Sequence, residues 1–267
     1  MTMLDSHQHF WDLDRQVIPQ LRGAPAVLQR SYRPADLQPH LDAHGITGTI
    51  LVQGYPQDDA TNRWYFELAN HTEFVRGVVA WADLTNLDRL RRQLDELQAQ
   101  PKFVGLRHII EDEPDDDWLA RPDVLHGLAE LAARGVPYDL LVKSRSLPHA
   151  VRVARELPGL TLILDHLAKP TGWEGWAEQI EQLAGCPNVA CKLSSLITQR
   201  MDMTRYVQHA RQCFGPARLM FGSDWPVCRM AGEYADVWQT LQQSLGPLTP
   251  AERAAIYGGT AARIYKL

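Results

Sequence analysis

Two histidines one residue apart, His7 and His9 in Ser6-His-Gln-His-Phe-Trp-Asp12, carry the first chemical signal of the chain. On an extended strand, side chains at i and i+2 share a face, so both imidazoles project together. Such a pair can grip one divalent ion or one substrate oxygen. His166 in Leu164-Asp-His-Leu-Ala-Lys-Pro170 and Asp224 in Phe221-Gly-Ser-Asp-Trp-Pro226 offer further donors far along the chain. Three imidazoles and a carboxylate form a nitrogen/oxygen set suited to zinc or a similar divalent ion. An ion held there lowers the pKa of its water and polarises an ester or lactone carbonyl. Asp224 would take the proton from that water as general base and return it to the leaving oxygen. An isolated histidine is more often a satisfied polar group at a core edge, so the set has meaning only if the fold assembles it.

A second ring of residues surrounds these. Arg107 and His108 follow Val104-Gly-Leu106 on one strand candidate, so they point to opposite faces and only one can readily face an interior. A guanidinium there suits a carboxylate or a polyhydroxylated ring. Lys143, Lys169 and Lys192 could stabilise developing negative charge. Trp11, Trp81 and Trp225 lie beside strand ends and could wall a sugar-sized pocket. The expected substrate contacts are Arg107, His108, Lys169, Lys192 and Trp225. The remaining histidines fall in or beside helical segments and receive no role.

The elements that must position these residues follow from hydrophobic patterning. Strand candidates are Met3–His7, Gly48–Gln53, Val75–Ala82, Phe103–Ile109, Val136–Val142, Leu160–His166, Asn188–Leu193 and Arg218–Ser223. Several are continuous apolar runs, as in parallel strands buried on both faces. Helices are expected at Leu87–Gln100, Pro122–Gly135, Leu147–Leu157, Gly172–Leu183, Thr204–Cys213, Tyr234–Leu245 and Pro250–Tyr257. The second of these has the Pro-in, Gly-out signature. Alternating strands and helices without a linker or repeat predict a single-domain α/β chain over residues 1–267, a (β/α)8 barrel in preference to an open doubly wound sheet. In such a barrel chemistry lies at the strand C-termini. His7, His9, Gln53, Arg107, Lys143, His166, Lys192 and Asp224 all fall there.

Bulk properties narrow the function. The chain has 267 residues, 45% of them apolar, which is ample for one large core. A net charge of −5 and a pI near 6.0 argue against a nucleic-acid partner. No run of 18 apolar residues appears, so no membrane partner is expected. No leader segment is visible, and four scattered cysteines without a CxxC pair fit reduced, cytoplasmic surroundings. The acidic run Glu111–Asp117 reads as a solvated loop that could border a site.

Together the stretches Asp5-Ser-His-Gln-His-Phe-Trp-Asp12, Val104-Gly-Leu-Arg-His108, Leu164–Pro170, Cys191-Lys-Leu-Ser194 and Phe221–Val227 resemble the amidohydrolase superfamily, in its amidohydrolase-2 branch of sugar lactonases. The resemblance spans almost the whole chain. It implies a distorted TIM barrel, and His7, His9, His166 and Asp224 as metal ligands and acid/base groups. It also implies hydrolysis of sugar-acid lactones such as fucono-, rhamnono- or galactono-lactone. The superfamily's bridging carboxylated lysine has no counterpart, so at most one divalent ion, zinc foremost, is expected, and it could be weakly held or dispensable. Relatives often carry aromatic residues where this chain reads Val17-Ile-Pro-Gln-Leu-Arg22, and Asn where it has Thr260. The expected partner is a small-molecule substrate, with a homo-oligomer left open. Two other readings stand beside hydrolysis: metal-assisted decarboxylation of an aromatic or dienoic acid, and a non-catalytic small-molecule binding barrel.

Overall fold

A computed structural model describes residues 2–267. All eight expected strands form: β1 (Leu4–Gln8), β2 (Gly48–Val52), β3 (Val75–Ala80), β4 (Phe103–Ile109), β5 (Tyr138–Leu141), β6 (Leu162–Leu164), β7 (Val189–Leu193) and β8 (Leu219–Phe221). They pair in parallel and in chain order. Between them run α1 (Pro34–His44), α2 (Asp59–Asn70), α3 (Leu87–Gln98), α4 (Pro122–Arg134), α5 (Leu147–Glu156), α6 (Trp176–Ala184), α7 (Thr204–Phe214) and α8 (Tyr234–Leu245). The short helices α9 (Pro250–Ala254) and α10 (Thr260–Ile264) follow, joined by a π-turn. The molecule is a (β/α)8 barrel.

Helices α1 and α2 were not among the expected ones, for identifiable reasons. Helix α1 contains Pro39 and buries only Leu37 and Leu41. Helix α2 buries the polar Thr61 and Asn62 beside Tyr65 and Phe66, which blurs its apolar stripe. Its start is set by Asp58, whose side chain accepts from the Thr61 N–H. Helix α4 has Pro122 at its first position and stops at Gly135 in left-handed conformation, as its sequence signature requires. Helix α6 starts four residues later than expected, at Trp176.

The core has two compartments. Inward-facing Leu4, Ile50, Val52, Val79, Ile163, Ala190 and Met220 fill the barrel and meet a floor made by Ala261, Ile264 and Tyr265. The outward strand faces pack against the surrounding helices. Thr260 donates to the Pro216 carbonyl across 3.4 Å.

Closure between β8 and β1 differs from the other seams. Beyond Phe221 the chain continues alongside β1: Asp224 N–H donates to the His7 carbonyl (2.8 Å) and His9 N–H to the Trp225 carbonyl (2.7 Å). Below them Ser6 Oγ donates to the Phe221 carbonyl (2.6 Å), and Ser223 N–H to Asp5 Oδ1 (2.9 Å). The backbone bonds that close the barrel therefore carry the chain of Asp224 past that of His7. No helix among the described residues is long and apolar enough to cross a membrane.

Candidate active site

At the C-terminal mouth, the structure brings His7, His9, His166 and Asp224 together. His7 Nε2 lies 3.1 Å from His9 Nε2, and Asp224 Oδ1 lies 3.4 Å from His9 Nε2 and 3.8 Å from His7 Nε2. His166 packs beside His7, with ring centroids 4.5 Å apart. Its donor atoms group with those of His7 and Asp165, whereas His7, His9 and Asp224 form a separate triad. The expected four-residue ligand set thus divides into two overlapping triads that share His7.

Local backbone explains the placement. Asp224 has φ 57°, and His166, Leu167, Ala168 and Lys169 all have φ between 45° and 57°. Left-handed conformation costs an L-residue about 1–2 kcal/mol, so four in succession need external support. Ser144 Oγ bonds the Ala168 carbonyl (3.0 Å) and Trp176 Nε1 the Leu167 carbonyl (2.8 Å), which supplies it. Gly222 lies so close to β1 that an added Cβ would sit 2.7 Å from His7 Cβ. Only glycine fits there without moving His7.

Orientation of the rings follows from their second nitrogens. His9 Nδ1 faces the Val52 carbonyl at 2.8 Å. A carbonyl only accepts, so Nδ1 carries the proton and Nε2 presents a lone pair to the Asp224 carboxylate. Two acceptors facing each other need a cation or proton between them. The donor set therefore fits a divalent ion on the chemistry of this structure alone. His166 Nδ1 pairs with Ser194 Oγ at 2.8 Å.

Burial dominates the electrostatics. It holds His7 well below the usual imidazole value and His166 at about 4, so both are neutral at pH 7. Burial alone would raise Asp224, but the surrounding imidazoles, His166 first, outweigh it and keep the carboxyl below its ordinary range. Asp165 behaves likewise, held well below its ordinary value by Lys192 and His7 against the effect of burial. Arg107 Nη1 bonds Asp165 Oδ2 (3.1 Å) and lies 3.2 Å from His7 Nε2, while its Nη2 donates to the Gln53 carbonyl.

A cavity of about 170 Å³ opens above the cluster, lined on its polar side by His9, Arg107, Glu111, His166, Lys169 and Asp224. Lys169 pairs with Glu111 across 2.6 Å, so the acidic run does border the site at its first residue. Ile18, Gln20 and Leu21 form part of the wall, so the Val17–Arg22 segment brings aliphatic and amide groups to the site. Trp11 also lines it.

Three expected substrate contacts do not line the cavity. His108 points away from the barrel interior, stacks on Trp118 at 4.4 Å, accepts from Trp81 Nε1 and donates to Glu113. Strand alternation gives the inward position to Arg107. Trp225 is 1% exposed and packs against Tyr32 and Phe10 behind the site. Lys192 is fully buried inside the barrel, beneath His7. Lys143 serves the loop, donating to the Glu111 carbonyl. Sequence reasoning missed Asp165 and Asp139. Asp139 is a lone acid within the apolar run of β5, a signal open to sequence reasoning, whereas Asp165 follows β6 and is marked only by partners on distant strands.

Comparison with known proteins identifies the family. The amidohydrolase family model matches residues 4–267. An L-fucono-1,5-lactonase of Burkholderia ambifaria is 36% identical over 284 residues, covering 99% of this chain and 95% of that protein. One from Burkholderia multivorans is also 36% identical, covering 99% and 96%. An amidohydrolase from Burkholderia multivorans crystallised with bound zinc superposes with a TM-score of 0.92 at 34% identity, each chain covered in full. A 2,6-dihydroxybenzoate decarboxylase, at 16% identity and TM-score 0.71, shares the fold alone. A barrel with its donor residues at the closing seam, matched over nearly its full length, belongs to the amidohydrolase family.

Proposed function

We propose that this protein opens the ring of a sugar-acid lactone by attack of water, with an L-fucono-lactone first among candidates. The observation that carries the reading is the buried Asp224 carboxylate, within 3.4 Å of His9, at the base of a cavity with charged and aliphatic walls. The names of the relatives, L-fucono-1,5-lactonase and, more distantly, L-rhamnono-gamma-lactonase, support the substrate class.

Asp224 is kept ionised, so it can accept a proton from a water attacking the lactone carbonyl and return it to the ring oxygen as the C–O bond breaks. The product is the open hydroxy acid. Ser194 Oγ holds His166 Nδ1 at 2.8 Å, and in the tautomer that accepts from this hydroxyl the Nε2–H would donate to the carbonyl oxygen. Arg107 and Lys169 face the cavity and suit ring hydroxyls. A divalent ion, with zinc the leading choice, would be held by His7, His9 and Asp224, and when bound would polarise the carbonyl and acidify water.

A panel of fucono-, rhamnono- and galactono-lactones followed with a pH indicator, alongside metal analysis of the purified protein, tests this. Turnover of at least one member is expected. Asp224→Asn is expected to lower kcat by about 10²–10⁴, the usual range for a general acid–base group. No hydrolysis above background, or an unaffected Asn variant, would sink the reading.

A further inference from the structure

His9 and His166 each fix their Nδ1 on a neutral group, a backbone carbonyl and a serine hydroxyl. His7 does not. Its Nδ1 lies 3.2 Å from Lys192 Nζ and 3.3 Å from Asp165 Oδ1, and all three residues are fully buried. Lys192 Nζ also bonds Asp139 Oδ2 and lies 3.1 Å from Asp165 Oδ1. Behind it, Tyr265 of the floor donates to Asp139, with its hydroxyl 2.9 and 3.1 Å from the two carboxylate oxygens. A continuous polar chain thus runs from the segment after α10, through the barrel axis, to His7.

Stability does not account for this arrangement. Inward positions of β2, β3 and β8 are apolar, and a buried ion pair is often no more stable than apolar side chains of equal volume. The network does supply directional contacts where His7 has no neutral partner. Buried polar networks rigidify the groups they join. Groups behind a ligating histidine fix its ring in the same way.

We propose that Lys192 and Tyr265 are positioning residues for His7. Asp165 Oδ1, 3.3 Å from His7 Nδ1, is the acceptor that leaves His7 Nε2 free to face His9 and Asp224; Lys192, anchored by Asp139, holds that carboxylate oxygen in place at 3.1 Å, and the Tyr265 hydroxyl anchors Asp139. The proposal rests on the reading that His7 belongs to the reacting centre. Neither residue touches the cavity.

Tyr265→Phe keeps the ring that plugs the floor and removes one hydroxyl. Zinc affinity, measured by chelator competition, is expected to fall about tenfold or more, with kcat reduced by a similar factor and KM within twofold. The double variant Asp139→Asn/Lys192→Met removes one charge of each sign and guards against misfolding of single charge deletions. It is expected to fold and to show the larger loss of zinc affinity. A purely structural floor would change the melting temperature of both variants and leave zinc affinity and kcat of the folded protein at wild-type values, which would overturn the proposal. If the wild type opens no lactone, the functional reading fails and zinc affinity alone decides. If it also binds no zinc, the His7 ring nitrogen resonances decide: unchanged signals in Tyr265→Phe overturn the proposal.

Discussion

Arg107 and His108 are neighbours in sequence with opposite surroundings. Arg107 binds Asp165 and the Gln53 carbonyl inside the barrel, whereas His108 lies between Trp118, Trp81 and Glu113 outside it. Arg107→Ala is expected to lower kcat/KM at least a hundredfold, because it removes a guanidinium that lines the cavity and leaves the buried Asp165 without it. His108→Ala should keep kcat within threefold and lower unfolding free energy by about 1 kcal/mol through the lost aromatic stack. Steady-state kinetics and urea melts check both, and equal kinetic losses would contradict the assignment of faces. The sequence could show that these residues face opposite ways. It could not show which faces inward, because β4 is buried on both sides and alternation then loses its polar reference. Asp165 was overlooked for a related reason: its partners Arg107 and His7 lie on distant strands, and no local pattern announces them.

At the scale of elements, strand and helix order was legible because apolar runs and caps are local properties. The left-handed turn from His166 to Lys169 was not legible, since none of its residues is glycine and its support comes from Ser144 and Trp176. Two glycines, one inside α4 and one at its end, show how far local rules reach. Helix propensity favours Gly127→Ala in α4 by about 1 kcal/mol. The new Cβ, however, would sit 2.4 Å from the Leu84 carbonyl oxygen, a backbone atom that cannot rotate away. Overpacking of that kind costs about 3 kcal/mol, so a net loss of about 2 kcal/mol is expected. Gly135→Ala meets no atom within 4 Å and pays only for φ +63°, about 1 kcal/mol. Urea unfolding of the two variants would refute this if Gly127→Ala were the more stable.

For the whole molecule, pH dependence sums buried groups of opposite sign. His166, lowered to about 4, and His7, also lowered, contribute stability that is complete above pH 6.5 and lost as pH falls; His166 alone accounts for about 3 kcal/mol. Burial pushes Asp5 and Asp139 up to about 6, so protonation between pH 6 and 3.8 stabilises the fold by a similar amount for each. The metal-free protein should therefore change little between pH 7 and 5. It should lose stability steeply below about pH 4, where Asp165 and Asp224, both held low, no longer keep their advantage over the unfolded chain. Urea midpoints at pH 7, 5 and 3.5 measure this, and a loss above about 3 kcal/mol between pH 7 and 5 would contradict it.

The closing seam has a consequence for how the molecule comes into being. Asp5 bonds Ser223 and Tyr234, and His7 meets Asp224 and Lys192, contacts separated by 185 to 229 residues of chain. Contacts of such sequence separation form late, because the loop entropy must be overcome before they add anything. During synthesis the first strand waits for the eighth, and until then His7 and His9 lack Asp224. A chain interrupted before residue 224 can hold most of its strands and none of its chemistry. Appearance of activity is thereby a marker for the last step of barrel assembly, and a break placed in the seam would abolish it before it abolished the helices.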